Sequence, residues 1–223
     1  MAGPLGKVPD FRQKPFPPTV PVPDLSSMAS AIDLELTEGW QRPTGIFVIA
    51  EVGGEVGDRI REIQERFDPK LARALPPHIT VAGSSGVGPI VPGTTAEELR
   101  TALGPICLDT EPMELELGKP HRFMQTDIVV LPLDPHGALR ELHERIARSG
   151  LTFARPKFAF TPHVTLSFYR TLDATMLRAL MAVRVNDRVR IDTLRCSLSN
   201  EPMPPRALLD LELTGSGALG HRR

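Results

Sequence analysis

Hydrophobic positions along the chain switch between two periods. Ile46–Val52 is a short apolar run rich in β-branched residues, which predicts a buried strand. Val56, Ile60, Ile63 and Phe67 then recur every three or four residues, the stripe of one helix face. Pro69, Pro76 and Pro77 end that pattern, and Ile79–Ala82 reads as a second strand. Thr95–Leu103 predicts a short helix, with Thr94 or Thr95 as cap ahead of Glu97 and Glu98. Ile106–Leu117 reads as a long extended stretch, its alternation clearest at Met113, Leu115 and Leu117. Ile128–Leu133 predicts a strand, and Leu139, Leu142 and Ile146 mark a helix face that Gly150 ends. Phe158–Phe160 leads into a strand over Val164–Phe168. Leu172–Met181 predicts a short helix, and Arg184–Leu198 and Ala207–Leu213 two further strands.

This order contains an internal repeat. One copy reads IFVIAEV, a helix with RIREIQERF, then PPHITVAG; the other reads IVVLPLD, a helix with LRELHERIA, then TPHVTLSF. A strand-helix-strand unit this short buries its own face poorly, whereas two copies facing each other share one core. The expected architecture is α+β: two pseudo-symmetric lobes, each an antiparallel-dominated sheet with outer helices, and an active-site cleft between them.

Composition narrows the picture. The chain has 223 residues, 41% apolar and 24% charged, enough for a globular core and against wholesale disorder. Lys plus Arg is 26 and Asp plus Glu 27, so a protein that coats nucleic-acid phosphates is disfavoured, while a local basic pocket is allowed. No apolar run approaches a membrane span, and no secretory signal is seen; the expected setting is the cytoplasm, as a monomer. Cys107 and Cys196 make neither a disulfide framework nor a four-cysteine zinc site, and read as small core hydrophobes. Residues 1–23 hold Pro4, Pro9, Pro15, Pro17, Pro18, Pro21 and Pro23, so residues 1–39 are expected to form a flexible tail. Met28 leaves the natural start open. Residues 40–214 form the two-lobed domain, and residues 215–223 a second flexible tail.

The chemistry-bearing residues close the two repeats. His78-Ile79-Thr80-Val81 and His163-Val164-Thr165-Leu166 each follow a proline, Pro77 and Pro162. In a strand, residues i and i+2 share a face, so His78 and Thr80 point one way and His163 and Thr165 do the same. A single His-x-Thr among six histidines is weak; the duplicated one at equivalent places is not. The competing readings are two structural histidines bonded to neighbouring threonines, or a metal site. Two histidines are an incomplete zinc set, and no His-Glu-x-x-His follows. In-line cleavage of a phosphodiester needs a base on the attacking side and an acid on the leaving side. Histidine serves both near neutrality, and threonine hydroxyls donate to the phosphate oxygens. No metal or other cofactor is then required.

The duplicated HITV and HVTL on two strand-helix-strand lobes resemble the 2H phosphoesterase superfamily, most closely its bacterial 2'-5' RNA ligase and cyclic phosphodiesterase branch. The resemblance spans about residues 44–214. It implies that His78 and His163 are general acid and base and that Thr80 and Thr165 hold phosphate oxygens. It also implies metal-independent action on nucleotides or RNA with a 2',3'-cyclic phosphate or a 2'-5' linkage. Which histidine is acid and which is base stays open. So do three other functions: 2'-5' RNA ligation in the same site, hydrolysis of cyclic oligonucleotides, and nucleotide or RNA binding without catalysis.

Other residues are weaker candidates. Tyr169 stacks on a base or bonds a phosphate, or is a partly buried core aromatic; Arg170 holds a phosphate, or is an exposed strand-end arginine. His121, Arg122 and Phe123 form a substrate rim or a solvated loop, the loop being the expectation, and Ser84–Gly88 reads as a flexible loop at the cleft edge. Arg155 and Lys157 lie on a loop before the second motif. His143 is expected at the surface of its helix, and His136 near that helix's start.

Overall fold

The computed structural model describes residues 44–124, 126–200 and 203–215. These all fall within one unit, Gln41–Arg223. The two predicted tails lie outside the described residues, except Gly215.

Nine strands and five helices follow in order among the described residues: β1 (Gly45–Glu51), α1 (Gly54–Phe67), α2 (Pro69–Ala74), β2 (His78–Ala82), α3 (Ala96–Leu108), β3 (Met113–Glu116), β4 (His121–Arg122), β5 (Val129–Pro132), α4 (Ala138–Ala147), β6 (His163–Ser167), α5 (Ala174–Met181), β7 (Arg188–Ile191), β8 (Thr193–Asn200) and β9 (Met203–Glu212). Seven strands form one antiparallel sheet in the order β4-β5-β6-β2-β1-β8-β9. β3 and β7 pair separately. The two lobes of the repeat are therefore continuous. The first contributes β1 and β2, the second β5 and β6, and the motif strands β2 and β6 are neighbours at the junction.

Alternation assigns the two faces of this sheet. Val48, Ala50, Ile79, Val81, Leu131, Val164, Leu166, Leu194 and Cys196 are fully buried. They share one core with Ile60 and Phe67 of α1, Leu99, Leu103 and Cys107 of α3, and Leu139, Leu142 and Ile146 of α4. The other face carries the histidines. A one-residue slip of β2 or β6 would drive a histidine into the core and a β-branched or leucine side chain out of it, so burial fixes the register.

The ladder has two matching irregularities. Val48 pairs Ala82 and Ile49 pairs Thr80, leaving Val81 as the extra residue of a bulge. Val129 pairs Ser167 and Val130 pairs Thr165, leaving Leu166 extra. Each bulge falls directly after the motif threonine, where it bends the strand and increases its twist.

Three predicted elements have different bounds. α3 continues to Leu108 through Pro105, and the extended stretch shortens to β3. The reason is the stripe Leu99, Leu103, Cys107, whose burial overrides the local Gly104-Pro105 signal. The predicted strand Arg184–Leu198 is two strands in different sheets, divided at Asp192. Buried positions shift there from Val189 and Ile191 to Leu194 and Cys196, a change of alternation phase that marks the break. Ser84–Gly88 is a hydrogen-bonded turn rather than a free loop: the Gly86 amide donates to Phe158 and the Gly83 amide to Val87. Thr95 does cap α3, in a reciprocal box with Glu98.

Asp68 ties the junction to the helices. It is buried; one carboxylate oxygen accepts the Leu71 amide at 3.0 Å and caps α2. The other accepts the amides of Phe168 and Tyr169, each at 2.7 Å, just beyond β6. Replacing Asp68 by Ala leaves those amides without their acceptor. The expected loss of unfolding free energy is roughly 2–4 kcal/mol by urea denaturation. An unchanged midpoint would show that this carboxylate does not hold the end of β6.

Candidate active site

The registered pair at the junction is Ile79 with Val164. Continuing that register sets His78 against Thr165 and Thr80 against His163. All four are half-buried on the face opposite the core. The two histidines are thus diagonal neighbours, which stand about 7–8 Å apart in such a ladder.

Both rings are fixed in the same way. His78 Nδ1 lies 2.8 Å from the Pro76 carbonyl oxygen, and His163 Nδ1 lies 2.7 Å from that of Thr161. A carbonyl only accepts, so each Nδ1 carries a proton and donates it. Nε2 is then the nitrogen that takes up or releases a proton on each ring. The prolines have matching places: the Val52 amide donates to the Pro77 carbonyl and the Leu133 amide to that of Pro162.

The surroundings of the two histidines differ. Phe123 meets His163 edge-on, with ring centroids 5.3 Å apart, and His121 lies edge-on to Phe123 at 6.1 Å. Burial pushes the His163 pKa below the ordinary histidine value, against the opposing effect of its bond to Thr161. On the other side, Glu51 is the cross-strand partner of His78 and shares its face. Arg195 binds Glu51 and also grips both carboxylate oxygens of Asp210, at 2.8 and 2.9 Å. The Asp210 hydrogen bonds and the Glu51 charge keep Arg195 protonated, while Arg195 holds Asp210 below the usual carboxylate range. A cavity of about 740 Å³ opens beside this cluster, lined by Glu51, Gly54, Arg188, Arg190, Arg195 and Asp210 among others.

Two expectations change here. His121 and Arg122 form β4 and are exposed, while Phe123 packs on His163, so this segment borders the site as a rim strand rather than a loop. The hairpin beyond is tied by Arg122, which donates to the Thr126 carbonyl and to Asp127. His143 is buried, not at the surface. Its Nδ1 lies 2.7 Å from the Val81 carbonyl, and its ring stacks on Phe160 at 3.9 Å. Gly86, at φ +74°, closes over the ring, where a Cβ would stand 2.4 Å from Nε2. Burial lowers the His143 pKa, opposed by the Val81 bond. The sequence signal was available: His143 follows the core residue Leu139 by four positions.

Tyr169 and Arg170 are placed beyond β6. The Lys70 ammonium lies 4.3 Å from the Tyr169 ring centroid, Phe168 meets that ring edge-on at 4.9 Å, and Arg170 is exposed. Arg155 and Lys157 are exposed. Cys107 and Cys196 are buried free thiols, pushed up by burial to about 11 and about 12. Among the described residues, no group of three or more His, Cys, Asp or Glu is arranged to hold a metal ion, and no helix is long and apolar enough to cross a membrane.

Residues 53–198 match the 2'-5' RNA ligase superfamily, and the chain belongs to that family. A protein of Geobacillus kaustophilus that carries a phosphoesterase name is 31% identical over 112 residues, which are 50% of this chain and 61% of that one. Another with such a name, from Geobacillus thermodenitrificans, is 30% identical over 114 residues, again 50% and 61% of the two chains. The chain therefore spans 61% of the length of these curated relatives. A crystal structure of a Thermus thermophilus protein shares the fold, with a TM-score of 0.51 and 18% identity over 75% of this chain and 97% of that one. Escherichia coli LigT in its apo form gives a TM-score of 0.49 and 18% identity over 78% and 99%.

The two lowered histidines set a pH dependence. Folding favours their neutral forms, so below the unfolded value of about 6.5 the unfolded chain binds more protons than the folded one. Their contribution is complete above that pH and is lost as pH falls through the folded values. The melting temperature should therefore drop between about pH 7 and 5, and less so in His143→Gln/His163→Gln. An equal drop in the double variant would assign the effect to other groups.

Proposed function

We propose that this protein is a metal-independent phosphoesterase acting on nucleotides or RNA with a 2',3'-cyclic phosphate or a 2'-5' linkage. The observation that carries this reading is the identical mounting of His78 and His163. Each has Nδ1 on a backbone carbonyl and Nε2 as the proton-transfer atom, on adjacent strands and beside a threonine. Membership of the 2'-5' RNA ligase superfamily supports the same chemistry.

His163 acts as base in hydrolysis. Burial favours its neutral form, and Nε2 accepts the proton of the attacking water. The water oxygen bonds to phosphorus on one side while the bond to the leaving ribose oxygen breaks on the other. His78 Nε2 donates the proton that this oxygen takes up. Thr80 and Thr165 donate to the non-bridging oxygens as their charge grows. With the hydroxyl of a second ribose in place of water, the same groups support ligation: the attacking oxygen bonds to phosphorus of the cyclic phosphate as the bond to one ring ribose oxygen breaks, and the freed oxygen takes up the proton. Tyr169 and Arg170, just beyond the second motif, serve as substrate-binding residues, with the exposed Arg170 meeting a further phosphate. The cavity beside Glu51 is of a size that takes a nucleoside.

The first test is hydrolysis of the four nucleoside 2',3'-cyclic monophosphates in EDTA. Wild type should turn over. His78→Ala and His163→Ala should each be slower by roughly 10²-fold or more while remaining folded. Wild-type rates in either variant would refute the acid/base assignment, and activity lost to EDTA and restored by zinc would refute metal independence.

A second test is the pH profile. kcat/KM should fall on the acid side as His163 takes up a proton, with a midpoint below about 6.5. A midpoint above that value would remove His163 as the base.

A further inference from the structure

The two helices of the repeat are crossed with respect to the motif strands. α1, from the first lobe, packs on β6 of the second; α4, from the second lobe, packs on β2 of the first. Each helix carries one buried polar side chain aimed at the strand beneath it. Gln64 Nε2 donates to the Thr165 carbonyl at 2.8 Å, and His143 Nδ1 donates to the Val81 carbonyl at 2.7 Å. These residues occupy the same place in the repeat. IREIQERF (60–67) aligns with LRELHERI (139–146), with Arg, Glu, Glu and Arg in common, and sets Gln64 on His143.

We propose that Gln64 and His143 are positioning residues that hold the acid/base pair in register, each gripping the motif strand of the opposite lobe. This rests on the reading of His78 and His163 given above. The junction needs such a grip. β1 with β2 and β5 with β6 each have a run of ladder pairs, whereas β2 with β6 has Ile79 with Val164 as its registered pair. The bonded carbonyls also stand at informative places. Val81 is the bulged residue after Thr80, whose carbonyl His143 satisfies, and Thr165 is itself a motif residue. Gln64 Oε1 is buried with no hydrogen-bond partner among the described residues, so its amide oxygen costs stability. What Gln64 contributes is the donated hydrogen bond.

The test uses the full chain and four variants: Gln64→Leu and His143→Leu, which remove the donors, and Gln64→His and His143→Gln, which exchange them. On a nucleoside 2',3'-cyclic monophosphate, the leucine variants should lose about 10-fold or more in kcat with KM changed less than about 3-fold. The exchange variants should recover most of that loss, because either side chain can donate to the strand carbonyl. A kcat within about 2-fold of wild type in a folded leucine variant overturns the proposal, as does an exchange variant no better than its leucine counterpart. Should His143→Leu fail to fold, the two exchange variants and Gln64→Leu decide on the same criteria. A wild type inactive both on the cyclic monophosphates and on a 2'-5' linked oligoribonucleotide refutes the enzymatic reading, and the grip is then read by NMR. The Cε1–H resonances of His78 and His163, assigned with their alanine variants, should move and titrate differently in the leucine variants only. Resonances unmoved in those variants overturn the proposal.

Discussion

The constraint on which the structure depends is the contact between β2 and β6. Each strand brings one half of the proposed proton-transfer pair, and the separation of the two imidazoles is set by how these strands lie together. The contact is secured chiefly from its apolar side. Ile79, Val81, Val164 and Leu166 are fully buried against the helices. At about 1.5–3 kcal/mol for each fully buried side chain of this kind, they resist any slip that would expose them. Because side chains alternate, the burial that locks Ile79 and Val164 inward presents His78, Thr80, His163 and Thr165 outward. The face that carries both motifs follows from the core face.

This explains how much was legible from the chain. The repeat, the strand assignment of both motifs and the shared face of each His-x-Thr pair rest on local periodicity, which sequence carries directly. The neighbours that complete the site are non-local. Asp68 meets Phe168 and Tyr169 a hundred residues further on, and Gln64 meets Thr165 at a similar remove. Local pattern does not specify such partners. Sequence also suggested that each lobe's helices would serve its own sheet, whereas the major repeat helices cross over to the other lobe's motif strand. His143 was misplaced for a related reason. Charged neighbours marked its helix as solvated, yet helix faces are set by spacing, and spacing puts His143 with Leu139.

Duplication produced two equivalent mounts, and the surroundings then made them unequal. His163 has the apolar edge of Phe123 beside it, and burial favours its neutral form. The side of His78 is charged, with Glu51, Arg195 and Asp210 in one connected network. The proposed reaction, which takes a proton on one side of phosphorus and gives one on the other, is favoured by this inequality. Two identical histidines at one pH would favour the same protonation state, and at most half of such pairs would hold one acid and one base. Symmetry of the backbone supplies the geometry, and asymmetry of the flanking side chains supplies the direction.

That asymmetry also bears on where the rest of a substrate lies. The His163 side is aromatic; beyond Glu51, the cross-strand partner of His78, lies a cavity whose arginines are each held by a carboxylate: Arg195 by Asp210, Arg190 by Asp192 and Arg188 by Glu116. Paired in this way, the arginines offer directed hydrogen bonds more than net positive charge. Such a surface suits the hydroxyl groups of a ribose better than a run of phosphates. For the function proposed above, the near-zero net charge of the chain fits a small nucleotide or the end of an RNA held at one phosphate better than a long strand held along its backbone.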